Sequence, residues 1–208
     1  MPQSIILASA SPRRKQLLTE AGYKFTVVRS DVDESVFSAD GISVCEYAKR
    51  LALAKANEVA SKYPTSLVIG ADTVVDFQGQ IIGKAADAAE AQQITEKLFS
   101  TPHKVITGIA IVRRGPGVPG CLPSGRPHGV APTENEIQLI ESDTTTVYPR
   151  KTTAEQIAEH IEGGSWKDKA GAYAIQETGD EFVERIEGSM TNVMGLPMEL
   201  LESLFARL

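Results

Sequence analysis

A near-continuous apolar run covers residues 66–75 and reads Ser-Leu-Val-Ile-Gly-Ala-Asp-Thr-Val-Val. Strands with one solvated face alternate apolar and polar residues, whereas a strand covered on both faces is apolar throughout. This run is therefore typical of a buried central strand. It favours an α/β architecture in which other elements pack on both faces of a sheet.

Asp72 interrupts this run. Aspartate is uncommon in strands, and a buried carboxylate without partners costs free energy. We therefore expect Asp72 to be hydrogen-bonded, to pair with a cation, or to bind a metal ion at an open end of the sheet. The alternative is an aspartate that caps a turn at the end of the strand.

The rest of the chain interleaves strand and helix patterns without strict βαβ regularity. We predict an α/β domain spanning residues 1–208, with a mixed, twisted sheet, flanking helices and a flexible insertion loop at 113–133, where five of the eleven prolines lie. Predicted helices follow Ser11 and Pro197 and cover 43–62, 87–99 and 153–161, a turn is predicted at 189–195, and the other predicted strands cover 5–8, 24–28, 80–82, 105–112, 136–148 and 182–186.

Residues 9–14, Ser-Ala-Ser-Pro-Arg-Arg, place two cations at a predicted helix start. Ser11 before Pro12 predicts an N-cap with proline at the first helical position. A strand, a tight turn and a helix N-terminus form an anion site, because the first N–H groups are unpaired and the helix dipole is positive there. Arg13 and Arg14 oppose that dipole, so we expect a negative group nearby. The alternative is two solvated arginines on an exposed turn.

Another cation, Lys55, falls on the apolar face of the helix predicted at 43–62. It follows Val44 by eleven residues, which at 3.6 residues per turn leaves only about 20° between the two positions. The side chain therefore points toward the core or a cleft. It either extends its amine to a nearby surface or lines a polar cavity.

Composition narrows the class of protein. The net charge of −6 argues against broad duplex binding, which needs a basic face, and cations gathered on an acidic chain indicate a small anionic ligand. No apolar run approaches the ~18 residues of a membrane span and the sequence shows no signal peptide, so we expect a cytoplasmic protein that binds no membrane. Cys45 and Cys121 are far apart and predict neither a disulfide nor a zinc site.

Several cations with a few carboxylates suit phosphate chemistry, in which a protein mainly positions groups and stabilises charge. Glu34 and Asp72 predict a site for Mg²⁺ or Mn²⁺, because hard cations prefer oxygen ligands and share substrate phosphates. The chain has no Walker motif and no Gly-x-Ser-x-Gly element. His103, His128 and His160 have no metal or triad spacing and are predicted to be structural or exposed.

Eight ordered segments together resemble the Maf family of nucleoside triphosphate pyrophosphatases, also called septum-formation inhibitor proteins. The resemblance covers nearly the whole chain. It implies a fold like that of inosine triphosphate pyrophosphatase with two lobes around a cleft, a homodimer in many members, and metal-dependent release of pyrophosphate from a nucleoside triphosphate. The segments that carry it are 9–14, Asp33-Glu34, 53–56, 70–75, Gly83-Lys84, 103–108, 168–176 and 189–197.

The resemblance also implies roles for single residues. Asp72 is expected to accept a proton from water, directly or through a metal ion, and Glu34 to help hold that ion. Arg13, Thr73 and Gln176 occupy the positions that separate the branch acting on dTTP and UTP from the branch acting on 7-methyl-GTP, and this chain has the dTTP/UTP set. The remaining expected triphosphate-binding or charge-neutralising residues are Ser9, Ser11, Arg14, Lys55, Lys84 and Lys169.

The chain departs from the family pattern at three places: Ala85 replaces a common proline, Ser165 replaces a usual acidic residue, and residues 113–133 are an insertion. The expected reaction is hydrolysis of dTTP, UTP or modified pyrimidine triphosphates to the monophosphate and pyrophosphate. Two alternatives stay open. One is a pyrophosphatase for other, non-standard nucleotides, and the other is a non-catalytic nucleotide-binding regulator of cell division.

Overall fold

The computed structural model describes residues 4–115, 136–167, 169–173 and 182–208. Within these residues the apolar run forms most of β3 (Leu67–Phe77), the third strand along a mixed sheet, so the predicted α/β class is confirmed. The sheet order is β2 (Phe25–Val27), β1 (Ile5–Leu7), β3, β5 (His103–Arg113), β6 (Ile137–Pro149) and β7 (Val183–Glu187), with β4 (Gln80–Ile82) paired to β3 outside this path.

The pairing along β3 leaves part of one edge open. β1 runs parallel to both β2 and β3, while β3, β4, β5, β6 and β7 pair antiparallel. On the edge away from β5, β1 pairs with residues 67–69 of β3 and β4 pairs with residues 75–77. Residues 70–74 therefore face no strand of the described chain on that edge. We call this stretch the β3 gap.

The predicted helices are confirmed as α1 (Pro12–Glu20), α2 (Val44–Lys62), α3 (Ala88–Leu98), α4 (Ala154–Glu162) and α6 (Met198–Phe205). Ser11 caps α1 and Pro12 begins it, as predicted. The turn predicted at 189–195 is wrong in part, because it contains the one-turn helix α5 (Met190–Val193), which the Ser189 side chain caps. No helix of the described residues is long and apolar enough to cross a membrane. The loop predicted at 113–133 lies outside these residues from position 116 on.

Two glycines let α2 lie close against one face of the sheet. A Cβ at Gly70 would be 2.2 Å from the carbonyl oxygen of Ala52, and a Cβ at Gly108 would be 2.5 Å from that of Ala48. Larger residues at either strand position would therefore push the helix away. This close packing brings Lys55 of α2 to the β3 gap.

The other face of the sheet carries two apolar clusters. One packs α1 and α6 on the start of β3 and includes Ile69 and Leu201. The other packs α3 on its end and includes Val75 and Leu98. Between them lie three threonines on neighbouring strands, which we call the polar row; they are Thr73, Thr107 and Thr145. The polar row thus separates these two apolar clusters, as expected for two lobes around a cleft.

Candidate active site

A cavity of about 320 Å³ opens at the β3 gap. Successive residues of a strand point to opposite faces, so the open edge of β3 supplies side chains from both faces of the sheet to one cavity. Asp72 faces α2, and Thr73 lies on the opposite face, in the polar row. The cavity is lined by Ser11, Arg13, Arg14, Glu34, Tyr47, Leu51, Lys55, Asp72, Thr73, Val74, Val75, Ile81, Gly83, Lys84, Val105, Ala170, Tyr173, Val193, Met194 and Gly195.

Asp72 and Lys55 form an ion pair in this cavity. The Lys55 Nζ lies 2.6 Å from Asp72 Oδ1 and 2.7 Å from Glu34 Oε1. Asp72 is buried in the middle of β3, so the interpretation of a turn cap at a strand end is wrong. Lys55 lines a polar cavity, which was one of its two predicted positions.

The two carboxylates respond differently to their surroundings. Burial raises the pKa of Asp72, and the nearby Lys55 ammonium only partly opposes that effect. Burial also acts to raise the pKa of Glu34, but there the hydrogen bond and charge of Lys55 outweigh it and the pKa is lowered. The environment thus makes Asp72 a stronger base than a free aspartate and Glu34 a weaker base than a free glutamate.

Arg14 is bound by the protein on several sides, so its interpretation as a solvated arginine is wrong. Its Nε donates to the Gly195 carbonyl oxygen at 2.7 Å, and its Nη2 donates to Thr73 Oγ1 at 2.9 Å. Its Nη1 donates to Ser9 Oγ at 3.2 Å and to the Ala71 carbonyl oxygen at 3.0 Å. The guanidinium therefore binds a carbonyl in the β3 gap and ties it to the segment after α5.

The three remaining predicted cations are Arg13, Lys84 and Lys169. Arg13 and Lys84 line the cavity, with Ser11 at the start of α1. Ala170 also lines the cavity and forms an isolated bridge with Lys84. The side chain of the adjacent Lys169 donates from Nζ to the Ser165 carbonyl oxygen at 2.5 Å. Of the predicted site residues, the cavity is lined by Ser11, Arg13, Arg14, Glu34, Lys55, Asp72, Thr73 and Lys84. Ser9 contacts Arg14 from outside this lining, and Lys169 is not part of the lining. Gln176 lies outside the described residues.

Ser165 and Ala85 depart from the family pattern, and the structure gives a partner for each. Ser165 Oγ lies 3.1 Å from His160 Nδ1, so its hydroxyl is engaged with that ring. Ala85 packs against the small apolar cluster that contains Trp166. Both residues therefore contact the protein's own side chains.

The predicted structural role of two histidines is confirmed. His103 is buried, with Nδ1 3.2 Å from the Leu98 carbonyl oxygen and Nε2 2.7 Å from the Tyr173 hydroxyl. Because a carbonyl only accepts, Nδ1 carries the hydrogen and Tyr173 donates to Nε2. His160 is also buried, with Nε2 2.8 Å from the Ala172 carbonyl oxygen. His128 lies outside the described residues.

Sequence reasoning missed two buried residues, Thr107 and Asn192, that contact the residues lining the cavity or their neighbours. Thr107 pairs across the sheet with Thr73, and the buried Asn192 donates from Nδ2 to the Val105 carbonyl oxygen at 3.0 Å and to Thr145 Oγ1 at 2.9 Å. Thr107 had the same signal as Asp72, a polar residue within an apolar strand. Asn192 had no such signal, because the segment before Gly195 looked like a turn.

The carboxylates of the cavity fit a hard divalent ion. Glu34 and Asp72 lie side by side, each bound to Lys55 through one oxygen, so the second oxygen of each carboxylate remains for an ion. Mg²⁺ in phosphate enzymes commonly takes one or two carboxylates and completes its ligands with substrate phosphates and water. Within the described residues, no group of three or more His, Cys, Asp or Glu side chains is placed to hold a metal ion without such help.

Comparisons of the sequence with known proteins identify one family. The family model described as "Maf-like protein" matches residues 4–208. A "dTTP/UTP pyrophosphatase" of Citrifermentans bemidjiense is 40% identical over 202 residues, which are 97% of this chain and 94% of that protein. One of the same name from Geotalea uraniireducens is 41% identical over 202 residues, 97% and 93% of the two chains. Among solved structures, the Staphylococcus aureus Ham1 protein matches with a TM-score of 0.48 and 13% identity over 98% of each chain.

Proposed function

The chain belongs to the Maf family, and from that membership we propose that it hydrolyses dTTP and UTP to the nucleoside monophosphate and pyrophosphate. Proteins named dTTP/UTP pyrophosphatase are about 40% identical to this chain over nearly their whole length. The observation that carries the proposal is the buried Asp72 carboxylate, held by Lys55 in a cavity lined with further cations.

Asp72 accepts the proton of the water that attacks the α-phosphorus. A general base works best when its pKa is closer to the operating pH, and burial shifts the pKa of Asp72 in that direction. Lys55 fixes the position of the carboxylate through one oxygen, which leaves the other oxygen for water. Water becomes a nucleophile as its proton passes to this oxygen.

The cations around the opening bind the triphosphate. Ser11 and Arg13 lie at the N-terminus of α1, the positive end of the helix dipole, and Lys84 approaches from beyond β4. Lys169 is assigned the same role from the family resemblance, and its neighbour Ala170 lines the cavity. Their charges stabilise the negative charge that moves onto the leaving pyrophosphate.

Glu34 and Asp72 are the residues that would hold Mg²⁺ or Mn²⁺ together with the triphosphate. When bound, such an ion neutralises phosphate charge and orients the reacting groups. Each carboxylate binds Lys55 through one oxygen, which leaves its second oxygen for such an ion. A cytoplasmic location and assembly into homodimers remain predictions.

Base selection is assigned to the positions of Arg13, Thr73 and Gln176. Arg13 and Thr73 both line the cavity, so they can reach one nucleotide. A glutamine amide can donate to O4, which uracil and thymine share, and this leaves their N3–H group for another acceptor. This set is the one expected for dTTP and UTP rather than 7-methyl-GTP.

A substrate panel tests the proposal. Purified protein with Mg²⁺ or Mn²⁺ is given dTTP, UTP, CTP, GTP, ITP and 7-methyl-GTP, and monophosphate and pyrophosphate are separated from diphosphate and phosphate. Selective release of pyrophosphate from dTTP and UTP is the expected result. Release from another nucleotide would refute the assigned specificity, and absence of turnover with either metal would favour a nucleotide-binding regulator.

A further inference from the structure

The hydroxyl of Thr107 has a fixed direction. Thr107 is fully buried, and its Oγ1 lies 3.0 Å from the backbone carbonyl oxygen of Asn192. A carbonyl oxygen has no hydrogen to give, so Thr107 is the donor. Its only hydroxyl hydrogen is thereby used, and toward every other neighbour Thr107 acts as an acceptor.

This arrangement determines the direction of the next hydroxyl. Thr73 Oγ1 lies 2.9 Å from Thr107 Oγ1, so Thr73 donates that hydrogen bond. Arg14 has no acceptor atom and donates from Nη2 to Thr73 Oγ1 at 2.9 Å. The other acceptor near Thr73 is the Gly195 carbonyl oxygen, which is 3.5 Å away and already binds Arg14 Nε at 2.7 Å.

The hydrogen bonds that Thr73 already makes determine which group it can offer to a ligand. A hydroxyl has one hydrogen and two lone pairs; here the hydrogen goes to Thr107 and one lone pair binds Arg14. The second lone pair of Thr73 Oγ1 remains available, and the Thr73 side chain lines the cavity. Thr73 therefore offers the ligand an acceptor. Phosphate oxygens also accept, so this position suits an N–H or O–H donor of the nucleoside.

We propose that Thr107 is a specificity-determining residue, acting through Thr73 without touching substrate. By holding the Thr73 hydrogen away from the cavity, it favours the N3–H of uracil and thymine over the N3 acceptor of cytosine. The inference rests on the proposed function and deepens it. Uracil and thymine share this N–H group, whereas dTTP and UTP differ at the 2′ position of the sugar.

The variant Thr107→Val tests the direction of the hydrogen bond from Thr73 to Thr107. Thr107→Val keeps the shape of the side chain and removes the acceptor, so the Thr73 hydroxyl becomes free to turn its hydrogen into the cavity. The value of kcat/KM for CTP rises while that for UTP changes little, and the UTP-to-CTP ratio falls about 10- to 100-fold. Thr107→Ser is the matched control, because it keeps the hydroxyl and retains the wild-type ratio.

The readout separates specificity from a merely structural role. A structural role alone would lower kcat/KM for both nucleotides alike, and this result would overturn the inference, as would equal ratios in the valine and serine variants. Thr107→Ala removes the same acceptor and provides the measurement if the valine variant does not fold. Wild-type protein that releases no pyrophosphate from UTP would refute the proposed function and the inference with it, whereas an unchanged ratio in an active valine variant refutes the inference alone.

Discussion

Replacement of Asp72 by asparagine separates catalysis from folding. Asparagine has nearly the same shape but cannot accept the proton of the attacking water. Loss of a general base lowers turnover by about 10²- to 10⁴-fold. We therefore expect Asp72→Asn to lose that much kcat for UTP, while KM changes little because the cations that bind the triphosphate remain.

The effect of Asp72→Asn on stability follows from the contacts of the carboxylate. Its charge-assisted hydrogen bond with Lys55 contributes about 1.5–3 kcal/mol, while removing a carboxylate from water costs several kcal/mol. The raised pKa of Asp72 indicates that the cost of burial is the larger of the two. Lys55 keeps Glu34 as a partner at 2.7 Å, so no cation is left unpaired. The free energy of unfolding should equal that of wild type or exceed it by up to about 2 kcal/mol.

Kinetics of pyrophosphate release and urea denaturation measure the two effects on the same preparation. Asp76→Asn is the matched control, because Asp76 is on the same strand but only accepts a hydrogen bond from the Gly79 N–H, which asparagine can also accept. An Asp72→Asn variant that unfolds during purification, or one that keeps wild-type turnover, would refute the reasoning. The first result would make Asp72 a structural residue, and the second would remove its role as base.

Three other substitutions test the architecture around the site. Arg14→Lys should lower the free energy of unfolding by about 1–3 kcal/mol for each carbonyl left unpaired. It should also lower kcat/KM more than Arg13→Lys does, and equal losses of kcat/KM in the two variants would contradict the account. Gly108→Ala should lower the free energy of unfolding by about 1–3 kcal/mol, because its Cβ meets the α2 backbone; denaturation that matches wild type would contradict this. Burial lowers the pKa of His103, so the unfolded chain binds a proton there that the folded chain does not. Stability should therefore fall as pH drops below about 6.5, by up to about 1.4 kcal/mol per pH unit, and His103→Gln should flatten that slope in denaturation at pH 5.5–7.5.

The sequence located Asp72 and Lys55 as residues that need partners, but it did not show that they are partners of each other. Each signal was local: a carboxylate in an apolar strand and an amine on an apolar helix face. Their contact depends on the close packing of α2 against the sheet, which Gly70 and Gly108 permit. That packing is a property of the assembled fold, so periodicity within either segment could not reveal it.

The different roles of Arg13 and Arg14 were also beyond the sequence. Adjacent residues on a helix point about 100° apart, and the motif alone does not show which of them faces the sheet. The choice depends on the β3 gap, since the free carbonyl of Ala71 is the acceptor that Arg14 binds. The gap itself results from the shortness of β1 and β4, and strand ends are poorly determined by apolar pattern.

Hydrolysis of UTP in ¹⁸O-labelled water tests the central claim most directly. The account places the attacking water at the α-phosphorus, activated by Asp72. It predicts that mass spectrometry finds the label in UMP and none in pyrophosphate. Label in pyrophosphate would show attack at the β-phosphorus and would contradict the assigned chemistry.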